Sequence, residues 1–387
     1  MKIKNLILIG LIGTKILYSQ GFRNPPEGSA ALSQAGAFIA QCDDASAITH
    51  NPAGLIQIKG QQILFGTNLI FPYTDYNGGS FSDERKFKLG ALPYFYYVSD
   101  FNRDNIRFGI GITSPYGQST KWSYDAVKNW GYSVPYLALM QTADVCLVSA
   151  FRVNERISTG IGINFYKSRI VVNNLLPPET PAKMRVDGEG YAPSFGFLYK
   201  KEKFRIGLNW RGGFKIKYSG KFKIPGSVQT GAKTEIKFPH IIGGGVAIFP
   251  NKKWKLEGDI EWVGYSCLER IPVDIKVVPP YQLDKKWEDV FNFYLGSEYK
   301  KNENLKLRCG IAYVRTPIPD ETWEPSLPGA NRIVLSAGSE LKTKIGKIEF
   351  AFAYSIFHKR TIKQGGSYDG TYKSKGFFFT MGYKNEI

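Results

Sequence analysis

Ile157-Ser158-Thr159-Gly160-Ile161-Gly162-Ile163-Asn164-Phe165-Tyr166 changes character at almost every step. Ile157, Ile161, Ile163 and Phe165 share one parity; Ser158, Gly160, Gly162 and Asn164 share the other. Side chains of an extended strand point alternately to opposite faces, so this stretch reads as a strand with one greasy face and one small or polar face. The pattern recurs. Phe204, Ile206, Leu208 and Trp210 oppose Arg205, Gly207, Asn209 and Arg211. Trp254, Leu256, Ile260 and Trp262 oppose Lys255, Glu257, Asp259 and Glu261, and Ile348, Phe350, Phe352 and Tyr354 oppose Glu349, Ala351, Ala353 and Ser355. In water a sheet hides its greasy face against a second layer; in an outer membrane that face meets lipid and the polar face lines a lumen. Alternation alone does not choose between the two.

The connections choose. About fourteen strands are expected, near residues 61–73, 84–98, 105–114, 135–151, 156–171, 187–199, 203–217, 234–249, 253–270, 287–299, 304–314, 330–342, 346–357 and 373–384. Tight turns at 153–155, 200–202, 250–252, 300–303 and 342–344 alternate with long loops at 115–134, 172–186, 218–233, 271–286, 315–329 and 358–372. A sandwich has no reason to keep all its long loops at one end, whereas an up-and-down transmembrane barrel does. The expectation is therefore all-β: an antiparallel up-and-down barrel of about 14 strands. A mean hydropathy of −0.23 is too polar for a bundle of membrane helices, and an aromatic share of 14% suits interface girdles.

The amino terminus departs from this rhythm. Lys2 and Lys4 precede the apolar run Leu6–Ile12, Lys15 interrupts it, and Ser19–Gln20 follow, which are the parts of a secretory signal rather than a spanning helix. Residues 1–19 are read as a signal peptide, 20–57 as a small plug, or hatch, and 58–387 as the barrel. The net charge of +18 is spread over many short turns with no basic helix or RNA-binding motif, which suits anionic headgroups or ligands better than nucleic acid. Four scattered cysteines make neither a disulfide framework nor a zinc site. Among three histidines only His358 lies near a serine, Ser355, and a loop histidine is the plainer reading. Gly243-Gly244-Gly245 sits inside a strand pattern with no following helix and reads as close packing against the plug, not as a phosphate loop. The chain is read as a non-enzyme without cofactor or metal.

The segment Gly28-Ser29-Ala30-Ala31-Leu32-Ser33-Gln34-Ala35-Gly36-Ala37-Phe38-Ile39-Ala40, followed by Asp43-Asp44-Ala45-Ser46 and Asn51-Pro52-Ala53-Gly54-Leu55, resembles the FadL/TodX family of outer-membrane transporters for long-chain fatty acids and aromatic hydrocarbons. Ile112-Thr113-Ser114-Pro115-Tyr116-Gly117, Phe238-Pro239-His240 and the late run Asn331-Arg332-Ile333 agree with it, so the resemblance covers essentially the whole mature chain. It implies that Asn51, Pro52 and Ala53 clasp the plug to the wall near a kink in the third strand; a simple turn before the first strand is the alternative. Proline removes a ladder donor and glycine admits a bulge, so Pro115 and Gly117 supply a local cause for that kink. It also implies that Gly21-Phe22 enters a lumenal ligand pocket. Basic residues near the matching positions, Lys167, Arg169, Lys285 and Lys286, are candidates to meet a polar head, though out of register by a few residues.

The implied function is passive uptake of hydrophobic small molecules across the outer membrane. Cargo is expected first at a greasy groove holding Trp122, Tyr124, Trp130, Tyr132, Tyr136 and Leu137, then at Phe22, then at a sideways exit beside the third strand. Rival readings are a nonspecific porin and a structural or adhesin barrel. Expected partners are the apolar ligand, outer-membrane lipid and the outer-membrane assembly machinery, with the chain a monomer. The last strand runs past Tyr383 into Lys384-Asn385-Glu386-Ile387, an atypical ending for such a barrel.

Overall fold

A computed structural model describes residues 21–87 and 89–387, so the expected signal peptide lies outside the described residues. Fourteen wall strands form one closed antiparallel barrel. In chain order they are β1 Gln61–Asn77, β2 Gly90–Ser99, β3 Ile106–Thr113 with Gly117–Lys121, β4 Leu137–Arg152, β5 Ile157–Leu176, β6 Thr180–Lys200, and β7 Phe204–Arg211 with Phe214–Ile224. There follow β8 Val228–Phe238 with Ile241–Asn251, β9 Trp254–Val263 with Arg270–Ile275, β10 Val290–Lys300, β11 Leu305–Val314, β12 Arg332–Thr343, β13 Gly346–Phe357 and β14 Gly370–Glu386. Each strand pairs with its sequence neighbour, and β1 pairs with β14 from Gln62↔Glu386 to Asn77↔Thr371, which joins the first and last strands and closes the sheet. In hydrocarbon every backbone polar group needs an internal partner, and closure supplies it.

The faces are inverted relative to a water-soluble sheet. Ile161 is 55% exposed and Leu295 61%, whereas Glu257, Asp259 and Glu261 on the opposite parity are at most 5% exposed. Such a pattern is stable only when the outside is apolar. Two expected loops are in fact wall. The β5–β6 register continues to Leu176↔Thr180 and the β7–β8 register to Ile224↔Val228, so residues 172–186 and 218–233 are projecting hairpins joined by very short turns. Inward Met184, Val186, Ile216 and Tyr218 continue the alternation there.

Two different fillings occupy the barrel. Toward the long-loop end, an apolar cluster includes Phe22, Tyr116, Tyr166, Phe214, Phe238 and Trp287. At the tight-turn end the inward side chains form ion pairs: Arg308 with Glu298 (2.7 Å) and Glu340 (2.9 Å), and Lys384 with Glu340 (2.7 Å) and Glu349 (2.9 Å). Lys384 therefore explains the atypical chain end: β14 continues past Tyr383 to Glu386 and so delivers a cation inward at Lys384. Residues 21–58 are mostly buried and bond to inward side chains of several strands. They form only short helical turns, Ser29–Ser33, Ala47–His50 and Pro52–Gln57.

Candidate functional site

Alternate residues of β9 present carboxylates to the N-terminal segment. Asp259 accepts from the amides of Phe38 (2.9 Å) and Ile39 (3.0 Å), and Glu257 from those of Ala40 (2.6 Å) and Gln41 (2.8 Å). Glu261 pairs with Arg23. Charge-assisted bonds of this kind are about twice as strong as neutral ones, and they fix a segment that has little regular structure of its own. Lys255 completes the row, bridging Asp43 (2.6 Å) and Glu298 (2.9 Å). Burial alone would raise the Asp43 carboxyl, but Lys255 and Arg205 overcome it and hold the group far below the usual carboxylate range. Gly243 and Gly245 lie against Ile39, as packing against the plug requires.

Asn51-Pro52-Ala53 bonds both within the N-terminal segment and to the wall. The Asn51 amide donates to the carbonyls of Ile39 (2.8 Å) and, on β6, Phe197 (3.1 Å), and its oxygen accepts from the Ala53 amide (3.2 Å). An added Cβ would run into Pro52 at Gly160 on β5 and into Asn51 at Gly196 on β6, so glycine there allows the close approach. The motif thus meets β5 and β6 most closely, and the turn it begins also reaches the third strand, where Leu55 lies against Gly109. Pro52 and Pro115 share only the lining of one cavity.

The third strand does break at Pro115. Its pairing with β2 stops at Phe95↔Ile112, and when it resumes at Gly117 it pairs with β4 alone, from Gly117↔Gln141. The ladder to β2 is therefore broken there: the chain's own beginning takes the place at residues 114–117, and Arg85 and Lys86, ahead of β2, bond to the carbonyls of Ser119 (2.7 Å) and Lys121 (2.9 Å). Asn24 donates from its amide to the Pro115 carbonyl (2.9 Å), the Gly117 amide donates to the Phe22 carbonyl (2.7 Å), and the Asn24 side chain donates to the Ser114 carbonyl (2.6 Å). Arg23 lies opposite Tyr116 in a single antiparallel bridge. Phe22 enters the aromatic cluster, with its ring 5.0 Å from Trp287 and 6.3 Å from Phe238. The backbone at residues 115–117 faces Phe22–Asn24, whereas the sequence argument had it face Asn51.

The expected basic residues are placed otherwise. Tyr166 and Ser168 point inward, so Lys167 and Arg169 take the outer parity, where they pair with Glu189 (3.1 Å) and Asp187 (2.7 Å). Lys285 is buried but bound to Glu324 (2.9 Å), and exposed Lys286 lies 3.3 Å from Glu321; both tie the segment before β10 to the loop before β12. Trp122 and Trp130 line no open groove. Both are fully buried, their rings 5.1 Å apart, with Trp122 bonded to the Pro325 carbonyl (2.9 Å) and Trp130 packed on Tyr76. Together they belong to the apolar cluster that fills the long-loop end. Ser355 is buried inward while His358 is exposed, so they form no catalytic pair.

Beside Arg23 lies a cavity of about 80 Å³, room for a few waters, whose lining is as apolar as it is polar and includes Leu32, Ile39, Ile48 and Phe378. Arg23, His50, Arg211, Glu261 and Arg332 line it. Arg211 donates to the Thr49 carbonyl (2.9 Å), and burial lowers the His50 imidazole below its ordinary 6.5. At the broken strand, Asp144 opposes Thr113 and Tyr166, fully buried, with neither carboxylate oxygen partnered. Sequence reasoning missed Arg211, Glu261 and Asp144, although Arg211 and Glu261 fall on the polar parity of strands it had already identified.

Over residues 12–386 the sequence matches the family described as outer membrane protein transport protein (OMPP1/FadL/TodX). The chain is similar to the long-chain fatty acid transport protein of Salmonella typhi, 23% identical with 96% of this chain and 95% of that one aligned. Its fold is that of a Pseudomonas aeruginosa FadL homologue, with a TM-score of 0.84 at 17% identity over 95% of this chain and 99% of that one. It is also that of the Pseudomonas putida toluene transporter TodX, with a TM-score of 0.76 at 14% identity over 95% and 100%.

Proposed function

We propose a route for apolar cargo that starts from one premise: this chain belongs to the outer membrane protein transport protein family, OMPP1/FadL/TodX, and resides in the outer membrane. The cargo is a hydrophobic small molecule, a long-chain fatty acid or an aromatic hydrocarbon, and uptake is passive. Residues 20–57 act as the hatch that blocks a straight path, and the long loops face the exterior. The observation that carries this reading is the docking of Phe22–Asn24 onto the broken third strand. The residues that stop the wall from being open also reach the apolar interior, so cargo that displaces Phe22 loosens the stopper.

The sequence of events follows from the side chains. Cargo parts the Trp122–Trp130 lid and takes the place of the Phe22 ring among Tyr116, Phe238 and Trp287. An acidic head, where the cargo has one, turns toward Arg211, and a hydroxyl toward Asp144, whose unpartnered oxygens lower the cost of admitting a donor. Release of residues 22–24 then opens the β2–β3 gap into the bilayer. Each methylene that leaves sideways rather than through water saves about 0.8 kcal/mol, so long chains favour this exit over a wet lumen. Asn51, Pro52 and Ala53 hold the rest of the hatch fixed meanwhile, and Gly117 leaves room beside the stopper.

A disulfide tests the gate. The two bonds flanking Arg23↔Tyr116 make it a non-hydrogen-bonded pair, for which Cα atoms lie about 4.5 Å apart, within disulfide reach. In a background with Cys267→Ser and Cys309→Ser, the Arg23→Cys/Tyr116→Cys protein should take up labelled toluene or oleate only after reduction. Equal uptake with the bond formed and reduced would remove the stopper from the mechanism.

A further inference from the structure

The projecting hairpins carry outward charge that forms no ion pair among the described residues. On β6, Lys183 and Arg185 are exposed between inward Met184 and Val186; on β7, Lys221 and Lys223 are exposed on the same outer surface. The register sets Lys223 opposite Lys183 and Lys221 opposite Arg185. Like charges directly opposite each other across an antiparallel pair are destabilising. Nearby acids on this face are engaged elsewhere: Asp187 with Arg169 (2.7 Å), Glu189 with Lys167 (3.1 Å) and Glu235 with Lys215 (3.4 Å). Four cations in two opposed pairs, repeated along adjoining strands, form a surface that calls for an external anion.

Height identifies the anion. The outward apolar belt on β6 runs through Phe195 to Tyr191, which is 72% exposed. Arg185 lies six residues further along the strand. At about 3.3 Å per residue, with the usual barrel tilt, that is roughly 15 Å above the edge of the belt. A phospholipid phosphate sits at the belt edge and falls short. We propose that Lys183, Arg185, Lys221 and Lys223 bind the phosphorylated saccharide headgroup of an outer-leaflet glycolipid, seated against the barrel beside the apolar belt. The lipid's chains lie on the belt while phosphates on its sugars fill the gap between the opposed cations.

The test uses the full-length protein in detergent micelles with four probes: a rough lipopolysaccharide with a phosphorylated inner core, the same material with its core phosphates removed, bis-phosphorylated lipid A without core, and inorganic phosphate. Unfolding is followed by heat-modifiable gel mobility and affinity by surface plasmon resonance. The phosphorylated core should bind at least tenfold more tightly than either of the other lipids, and inorganic phosphate should not displace it. Neutralising all four residues to Gln should remove that preference, as should K183Q/K223Q or R185Q/K221Q in part, while K183R/K221R/K223R should retain it. Without glycolipid the neutralised barrels should unfold no earlier than wild type, because opposed like charges are gone. A control neutralising Lys203, Lys252, Lys301 and Lys344 at the tight turns should bind as wild type does. The proposal is overturned by wild-type binding in the fourfold variant, an equal loss in the control, equal binding of lipid A alone, or full displacement by inorganic phosphate.

Discussion

Asn51→Ala is the sharpest probe of how the hatch is held. The substitution removes two donated bonds, to Ile39 and Phe197, and one accepted bond, from Ala53. Asn51 is fully buried, so water does not replace them. At about 1 kcal/mol net per bond, the docked hatch loses about 3 kcal/mol relative to the undocked one, which is roughly 150-fold in their ratio. The wall keeps its own ladder, so the cost falls on docking and not on the barrel. The assay is hydrogen exchange of the amides of Phe38, Ile39, Ala40 and Gln41, which are protected only through Asp259 and Glu257. These should exchange about 100-fold faster in the variant while strand amides and heat-modifiable mobility stay unchanged, and uptake of apolar cargo should fall. Asn51→Asp keeps the acceptor but sets a carboxylate against two carbonyls, so it should be worse than Ala. An exchange increase below about threefold in a folded Asn51→Ala barrel would return the motif to a simple turn.

Other outcomes follow from the same geometry. His50 is half-buried, its Nε2 against the Glu27 carbonyl (2.9 Å), and desolvation holds its imidazole below the ordinary 6.5, so the undocked state binds the proton more readily. Docking stability is therefore fully present above about pH 6.5 and declines below it, toward the depressed value. The protection factors of residues 38–41, each rate compared with its intrinsic value at the same pH, should fall between pH 7 and 5, and His50→Gln should flatten that response. Gly117→Val would place its Cβ 3.1 Å from the Asn24 side-chain nitrogen, crowding the stopper and narrowing the gap, so uptake should slow; full transport would argue against a sideways exit. Leu295→Arg on the lipid face should cost about 2–4 kcal/mol in vesicle unfolding if it lies near the bilayer midplane, and no cost would place that residue outside the bilayer.

Much of the wall was legible because its signal is local. Period-two alternation places Ile161 and Leu295 outside and Asp259 inside without reference to any distant residue. It failed where outward positions are charged: Lys183, Arg185, Lys221 and Lys223 made two strands look like polar loops, although Met184, Val186, Ile216 and Tyr218 kept the rhythm beneath. The site was less legible for two reasons. Proximity in sequence drew attention to Lys167 and Arg169, when parity already turned both outward and turned Arg211 inward. The pairing of Phe22 and Asn24 with Pro115 and Gly117 spans some ninety residues, and no local pattern marks it. Pro115 shows that the ladder breaks, but only the folded chain shows what fills the break.

The ion pairs that reach from the hatch to the last strands also bear on the order of assembly. Asp44 lies 3.9 Å from Lys384, and Asp43 is held by Lys255, itself tied to Glu298. The hatch segment, made before any wall strand, has binding partners on β9, β10 and β14, the last wall strand of the chain. It must therefore wait, unstructured and shielded, through synthesis and export of nearly the whole polypeptide. Contacts of such sequence separation form slowly because loop closure precedes any gain from them. The full set of hatch contacts is accordingly available only once β14 is in place, and a chain truncated before β14 lacks Lys384 and its pairing with Asp44.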